Sequence, residues 1–270
     1  MEKRRSAWVG IVALAAVGSG GCALYLDDPP PAPVPAQIAE YQLVPRGNVA
    51  VLGQVSAIAW DGQQHWIVSR MADGDYWSPD PIEVFAYDAT TQTASAPYVL
   101  TTHWERPTGA TWAQGQLWIH YDANTAGLVT SLDPATGVET PRYNVSWGIN
   151  DIDSDGTSLY LADSSVDSMV EVRDLDTGSL QDQLWSAGFE ASLRGLAVID
   201  VPETATTEVW GGTMASNRLT VLVDGEQVAA ASLPGFGANN PGLLQFAGPR
   251  LTYVYDNQLY FFDVLRPAAN

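Results

Sequence analysis

A stretch of about twelve residues present in five copies constrains this chain more than any other feature. Ala57-Ile-Ala-Trp-Asp-Gly-Gln-Gln-His-Trp-Ile-Val68 recurs without gaps as Gly109-Ala-Thr-Trp-Ala-Gln-Gly-Gln-Leu-Trp-Ile-His120, and again as Asp151-Ile-Asp-Ser-Asp-Gly-Thr-Ser-Leu-Tyr-Leu-Ala162. Looser copies run from Gly195 to Trp210 and from Gly242 to Tyr255, so successive copies start 52, 42, 44 and 47 residues apart. Each copy reads as a small-residue strand, a tight turn such as Asp61-Gly62 or Asp155-Gly156, and an aromatic strand that returns. Asp-Gly supplies the positive φ values that a short hairpin needs. A third strand follows and ends in Asp133-Pro-Ala-Thr-Gly137 or Asp174-Leu-Asp-Thr-Gly178, where aspartate accepts from turn amides and glycine takes the left-handed position. A polar fourth strand, Val138 to Val145 or Ser179 to Trp185, completes the unit.

No segment from 37 to 266 carries helical periodicity, and a period of this length fits a four-stranded propeller blade. The expectation is an all-β fold: a single β-propeller of five four-stranded blades over residues 37–268. The fifth copy ends at Leu259–Val264 and lacks a fourth strand, whereas Glu40–Val44 precedes the first copy without a partner. The N-terminal segment is therefore expected to close the ring, removing edges that would otherwise invite aggregation. An open or six-unit arrangement that uses Asn48–Gln54 differently is the alternative. The Asp-x-x-Thr-Gly turns and the run Asp155-Gly-Thr-Ser-Leu-Tyr-Leu-Ala-Asp163 resemble the YVTN, NHL and quinoprotein-like propeller repeats. The quinoprotein pattern wants a tryptophan four residues after the glycine. Val138–Pro141 has none, so the resemblance implies no quinone cofactor.

Before the repeats, Lys3, Arg4 and Arg5 precede an apolar run from Ala7 to Gly18, too short to span a bilayer as a helix and built like an export signal. Gly20-Gly21-Cys22 resembles the end of a bacterial lipobox. The resemblance implies a signal peptide over 1–21, lipidation of Cys22, the only cysteine, and sorting by Ala23 to the outer membrane. Ordinary secretion with cleavage near Ser19 is the alternative. Residues 22–36 hold Asp27-Asp-Pro-Pro-Pro-Ala-Pro-Val-Pro35, a semi-rigid polyproline spacer.

The chain has 31 acidic against 12 basic residues, a formal charge of −19, which disfavours nucleic acid and leaves the lipid anchor as the only membrane attachment. Partners are then proteins or small molecules, carbohydrates included. Loops at one end of the ring gather polar and aromatic residues. From them Thr108, Asn150, Arg194, Asn240, Arg70, Trp77, Trp104 and Trp147 are the candidate ligand-binding residues, with Ser56, Thr108, Asn150 and Arg194 ringing the channel mouth. Asp151, Asp153 and Asp155, followed by Gly156, match the first half of an EF-hand-type loop, so calcium is the one metal cofactor the spacing allows. The twelfth position of that loop is Ala162, and hairpin pairing would splay the carboxylates. His65, His103 and His120 show no zinc-ligand spacing, and no Gly-x-Ser-x-Gly or cysteine nucleophile is present. The function expected is an envelope-anchored binding or scaffold module that presents the loop face to a protein or small ligand. The alternative is a lactonase- or glycosidase-like hydrolase at the channel mouth.

Overall fold

The turns marked in the sequence are closed by the side chains that mark them. In the computed structural model Asp61 accepts hydrogen bonds from the amides of Gln63 (2.7 Å) and Gln64 (2.8 Å) and from the Trp66 indole (2.9 Å). Asp155 does the same for Thr157, Ser158 and the Tyr160 hydroxyl. One carboxylate thus shapes the hairpin and pins the aromatic residue of the returning strand. Asp133 and Asp174 likewise hold Thr136 and Thr177. The glycines that follow, Gly137 and Gly178, take φ of 69° and 70°. A side chain on either would strike an aromatic ring, Tyr98 in one case and Tyr143 in the other. The Asp-x-x-Thr-Gly turn is therefore a socket for a ring from the preceding unit, and Tyr98 also donates to Pro134 O in that socket.

The structure describes residues 38–51, 53–70, 81–100, 106–123, 126–164, 169–185, 193–213, 216–237 and 242–267. Among them there is no helix, and 21 strands make four sheets. The first contains β2 (Gln54–Trp60), β3 (His65–Arg70) and β4 (Ile82–Asp88), with β5 (Thr93–Ala94) and β6 (Tyr98–Leu100) both pairing β4. Its outer strand is thus broken around Ser95–Pro97, where proline has no amide to give the ladder. The second is β7 (Arg106–Ala113), β8 (Gln116–Asp122), β9 (Gly127–Asp133) and β10 (Val138–Val145). The third is β11 (Ile149–Ser154), β12 (Ser158–Asp163), β13 (Met169–Asp174) and β14 (Leu180–Trp185). The fourth has eight strands. The run β15 (Leu193–Val201), β16 (Thr206–Thr213), β17 (Arg218–Val223), β18 (Glu226–Ser232) is joined through β1 (Ala39–Ala50) to β21 (Gln258–Leu265), β20 (Arg250–Tyr255) and β19 (Leu243–Ala247).

β1 pairs antiparallel with β21 from Gln42 to Ala50, as the missing C-terminal strand required. It is longer than the sequence suggested, and its first residues also pair in parallel with β18, Ala39 to Tyr41 against Ala229 to Ala231. That pairing merges two units into one nearly closed sheet. Buried Glu208 locks the junction. It accepts from Tyr41 Oη (3.0 Å), Trp210 Nε1 (2.9 Å) and both Nε and Nη2 of Arg266 (3.0 and 2.7 Å). Burial pushes the Glu208 carboxyl up, but its donors, Arg266 first, outweigh that and hold it below the ordinary glutamate value.

The innermost strands touch in the order β2, β7, β11, β15, β19 and back to β2. Between neighbouring sheets lies the core, for example Ala57, Trp66, Val84, Leu117, Ile119 and Tyr121 in one cluster. Trp66 stacks on Trp112 across that boundary, with centroids 5.8 Å apart. This is a propeller-like arrangement of sheets about an axis.

Candidate ligand site at the mouth of the ring

Four of the five inner strands are irregular at the same place near their start. Pairing of β2 with β3 skips Ser56, that of β7 with β8 skips Thr108, that of β11 with β12 skips Asn150, and that of β15 with β16 skips Arg194. A β-bulge leaves one residue out of the ladder and re-aims its side chain. Here four bulges, one per strand, bring those side chains to a single cavity of about 750 Å³, lined as well by Gln54, Val55, Arg106, Asp122, Gly242, Leu243 and the hairpin Val254–Asn257. The sequence placed these four residues just ahead of the inner strands. They lie within them, and the bulge is what points them at the mouth.

Of the predicted ligand-binding residues, the structure therefore brings together Thr108, Asn150 and Arg194. Arg70 is separate: it lines a second cavity of about 690 Å³ with Ser69, Glu83, Phe85 and Tyr87, beside the broken outer strand of the first sheet. Trp147 is 59% exposed in the connection before β11 and does not line the mouth. Trp77, Trp104 and Asn240 lie outside the described residues, as does Cys22.

Within the mouth the polar groups are linked. Asn150 Nδ2 donates to Leu193 O (2.7 Å), and Arg194 Nη1 donates to Asn150 Oδ1 (3.2 Å). Arg194 Nε is buried without a partner among the described residues. Burial, and then the nearby charge of Arg106, lowers the Arg194 pKa below its ordinary value. Thr108 Oγ1 donates to Ile149 O (2.9 Å) and meets His120 Nδ1 at 2.7 Å. With the hydroxyl proton committed to the carbonyl, His120 donates from Nδ1. Burial drives this imidazole down to a pKa of about 3, so it stays neutral and serves as a rigid prop for Thr108.

In the structure the predicted calcium ligands accept hydrogen bonds from protein donors. Asp151 and Asp153 are 3% and 1% exposed and point inward, one and three residues deeper along β11 than Asn150. Asp151 accepts from the amides of Ile152 and Leu196 (both 2.9 Å). Asp153 accepts from Thr111 Oγ1 (2.7 Å), the Val198 amide (2.7 Å) and the Ser154 amide (2.8 Å), with Gln245 Nε2 at 3.4 Å. One side chain thus reaches β7, β15 and β19, so the axis is filled below the mouth. Burial raises both carboxyls, Asp153 to about 6 and Asp151 well above the usual range, although every hydrogen bond they accept acts the other way. Asp155 is taken up by its own turn. The three do not converge, and among the described residues no three His, Cys, Asp or Glu side chains gather as a metal site would need. The EF-hand spacing reads as a strand because alternate residues of a strand share a face, while the third carboxylate already belongs to the Asp-Gly turn.

Asp122, Tyr255, Asp256 and Asn257 belong to the mouth and were not singled out by sequence. Asp256 and Asn257 form the two-residue turn between β20 and β21, both with positive φ, and Asn257 Oδ1 accepts the Val55 amide at 3.0 Å. The signal was available: this turn of the fifth copy corresponds to the loops between second and third strands elsewhere.

No protein-family model matches the sequence, and no curated protein matches it. The structure is similar to a glutaminyl cyclase of Myxococcus xanthus, with a TM-score of 0.60 and 8% identity over 87% of this chain and 100% of that one. It is also similar to an auxiliary nutrient binding protein from Bacteroides thetaiotaomicron, with a TM-score of 0.51 and 11% identity over 81% of this chain and 61% of that one. These likenesses are of backbone. They establish the chain as a propeller-like all-β fold.

Proposed function

We propose that this chain is an exported, lipid-anchored β-propeller of five blades that works as a binding module, with its ligand site at the mouth of the ring. The single observation that carries the reading is the convergence of Ser56, Thr108, Asn150 and Arg194 from four different strands onto one cavity. Bulges are irregularities that a sheet does not need for its own stability, and four in register around one space are what a pre-formed site requires. The cyclic order of five inner strands supports the blade number, with β1 as the last outer strand. The export signal, Cys22 and the Pro-rich spacer support anchoring in the envelope, at the outer membrane by the residue after the cysteine.

The test begins with what co-purifies with the full chain from its own envelope. Ser56→Trp, which fills the mouth, and Asn150→Ala, which removes its central amide, should each release that ligand. Retention by both variants sinks the site. The hydrolase alternative at the same mouth is separated by turnover of a lactone and glycoside panel by the full chain. For anchoring, Cys22→Ser should move the protein from the membrane to the soluble fraction, and unchanged membrane retention would refute lipidation.

A further inference from the structure

Two guanidiniums at the mouth lack the carboxylate partner that five other described arginines have. Arg46, Arg218 and Arg250 bind carboxylates at the surface, and Arg173 and Arg266 bind them in part-buried settings. Arg142 is satisfied differently, over the Trp118 ring and by Ser131 and Gln116. Arg106 and Arg194 make no ion pair among the described residues, although acids outnumber bases by 31 to 12. Both line the same cavity. Arg106 stands opposite Asp122 in the β7–β8 ladder, yet the two form no ion pair, and Asp122 Oδ1 instead meets the Gly148 amide at 3.4 Å. Two like charges, one with a buried unpartnered N–H, thus line one cavity with no ion pair to either among the described residues. Such an arrangement is complementary to an anion placed between them.

Resting on the reading of the mouth as a ligand site, we propose that its ligand is a small hydroxylated carboxylate, of the sugar-acid or hydroxy-acid class, whose carboxylate bridges Arg106 and Arg194. The fork of a guanidinium matches a planar carboxylate. Asp122 and Asp256, on the same lining, take hydroxyl donors from the ligand and repel a second negative charge. A monoanion carrying hydroxyls fits that balance, whereas a phosphate dianion meets two carboxylates. The volume of about 750 Å³ exceeds a single six-carbon acid, so water or a second residue of a short oligomer shares it.

Calorimetric titration of the full chain in detergent with galacturonate, gluconate, galactose and inorganic phosphate tests this. Galacturonate and gluconate should bind saturably and galactose at least about tenfold more weakly, as the loss of one charge-assisted hydrogen bond requires. Arg106→Gln, an exposed position that spares the fold, and Arg194→Gln should each weaken galacturonate by at least about tenfold, with Arg194→Lys between. Equal binding of galactose and galacturonate, blocked by Ser56→Trp but untouched by Arg106→Gln, would overturn the carboxylate while leaving the mouth as the site. Phosphate binding tighter than either acid would overturn it too. If no carboxylate gives a saturable signal, the inference is wrong. If the envelope ligand also survives Ser56→Trp and Asn150→Ala, the mouth falls with it.

Discussion

Replacing Gly178 by alanine tests whether neighbouring units are keyed together by a ring on a glycine. Gly178 has φ of +70°, and a Cβ there would lie 2.4 Å from Cγ of Tyr143, closer than any real contact. Gly115 is a matched control, with φ of +73° and nothing within 4 Å of the added carbon. Both substitutions incur the left-handed backbone cost, about 1 kcal/mol or somewhat more. Only Gly178→Ala must also displace the half-buried tyrosine, which rests against Trp118 with centroids 6.4 Å apart. Overpacking of that kind costs about 1–3 kcal/mol. A domain of this size loses about 2–4 °C per kcal/mol. Thermal unfolding by circular dichroism should therefore show a fall of about 3 °C for Gly115→Ala and about 6–12 °C for Gly178→Ala. Gly137→Ala, whose Cβ would lie 2.6 Å from the Tyr98 ring, should behave like Gly178→Ala. In a Tyr143→Leu background the excess should largely vanish. Equal shifts at positions 115 and 178 would refute the socket, because they would leave backbone strain as the whole effect.

Arg266→Ala should cost about 3 kcal/mol in denaturant unfolding, since it strips the buried Glu208 of its charge partner and leaves only neutral donors; a loss below about 1 kcal/mol would mean that the closing junction does not depend on this pair. Asp153 gives the domain a pH signature. Its folded pKa, about 6, lies above the unfolded value, so the folded state holds its proton longer and stability falls as pH rises from about 4 to 6. Across that window the wild type should lose about 3 kcal/mol relative to Asp153→Asn, measured as the difference between their stability profiles. Taking the difference removes the opposite trend of His65 and His120, which burial depresses to about 4 and 3 and whose contribution is lost as pH falls below about 6.5. Parallel profiles would refute charge burial at Asp153.

What the sequence determined by itself was local. The period of 42–52 residues, the Asp-Gly and Asp-x-x-Thr-Gly turns and the aromatic returning strands follow from which dihedrals and hydrogen bonds a few adjacent residues can adopt. The missing strand of the last copy was legible by subtraction, and β1 pairs β21 as that required. Tertiary structure decided the rest. Whether Asp151 and Asp153 bind an ion or staple strands depends on amides some 45 residues away that only the ring brings near, such as Leu196 N and Val198 N. The lack of an ion pair at Arg106 among the described residues was likewise invisible, because only the folded chain shows which carboxylates an arginine meets. The residues of the mouth are dispersed from Gln54 to Asn257, and the repeat period that joins Ser56, Thr108, Asn150 and Arg194 does not by itself show that they share one cavity. Their proximity comes from strands curving about one axis, and a one-residue bulge in each decides which side chain faces it.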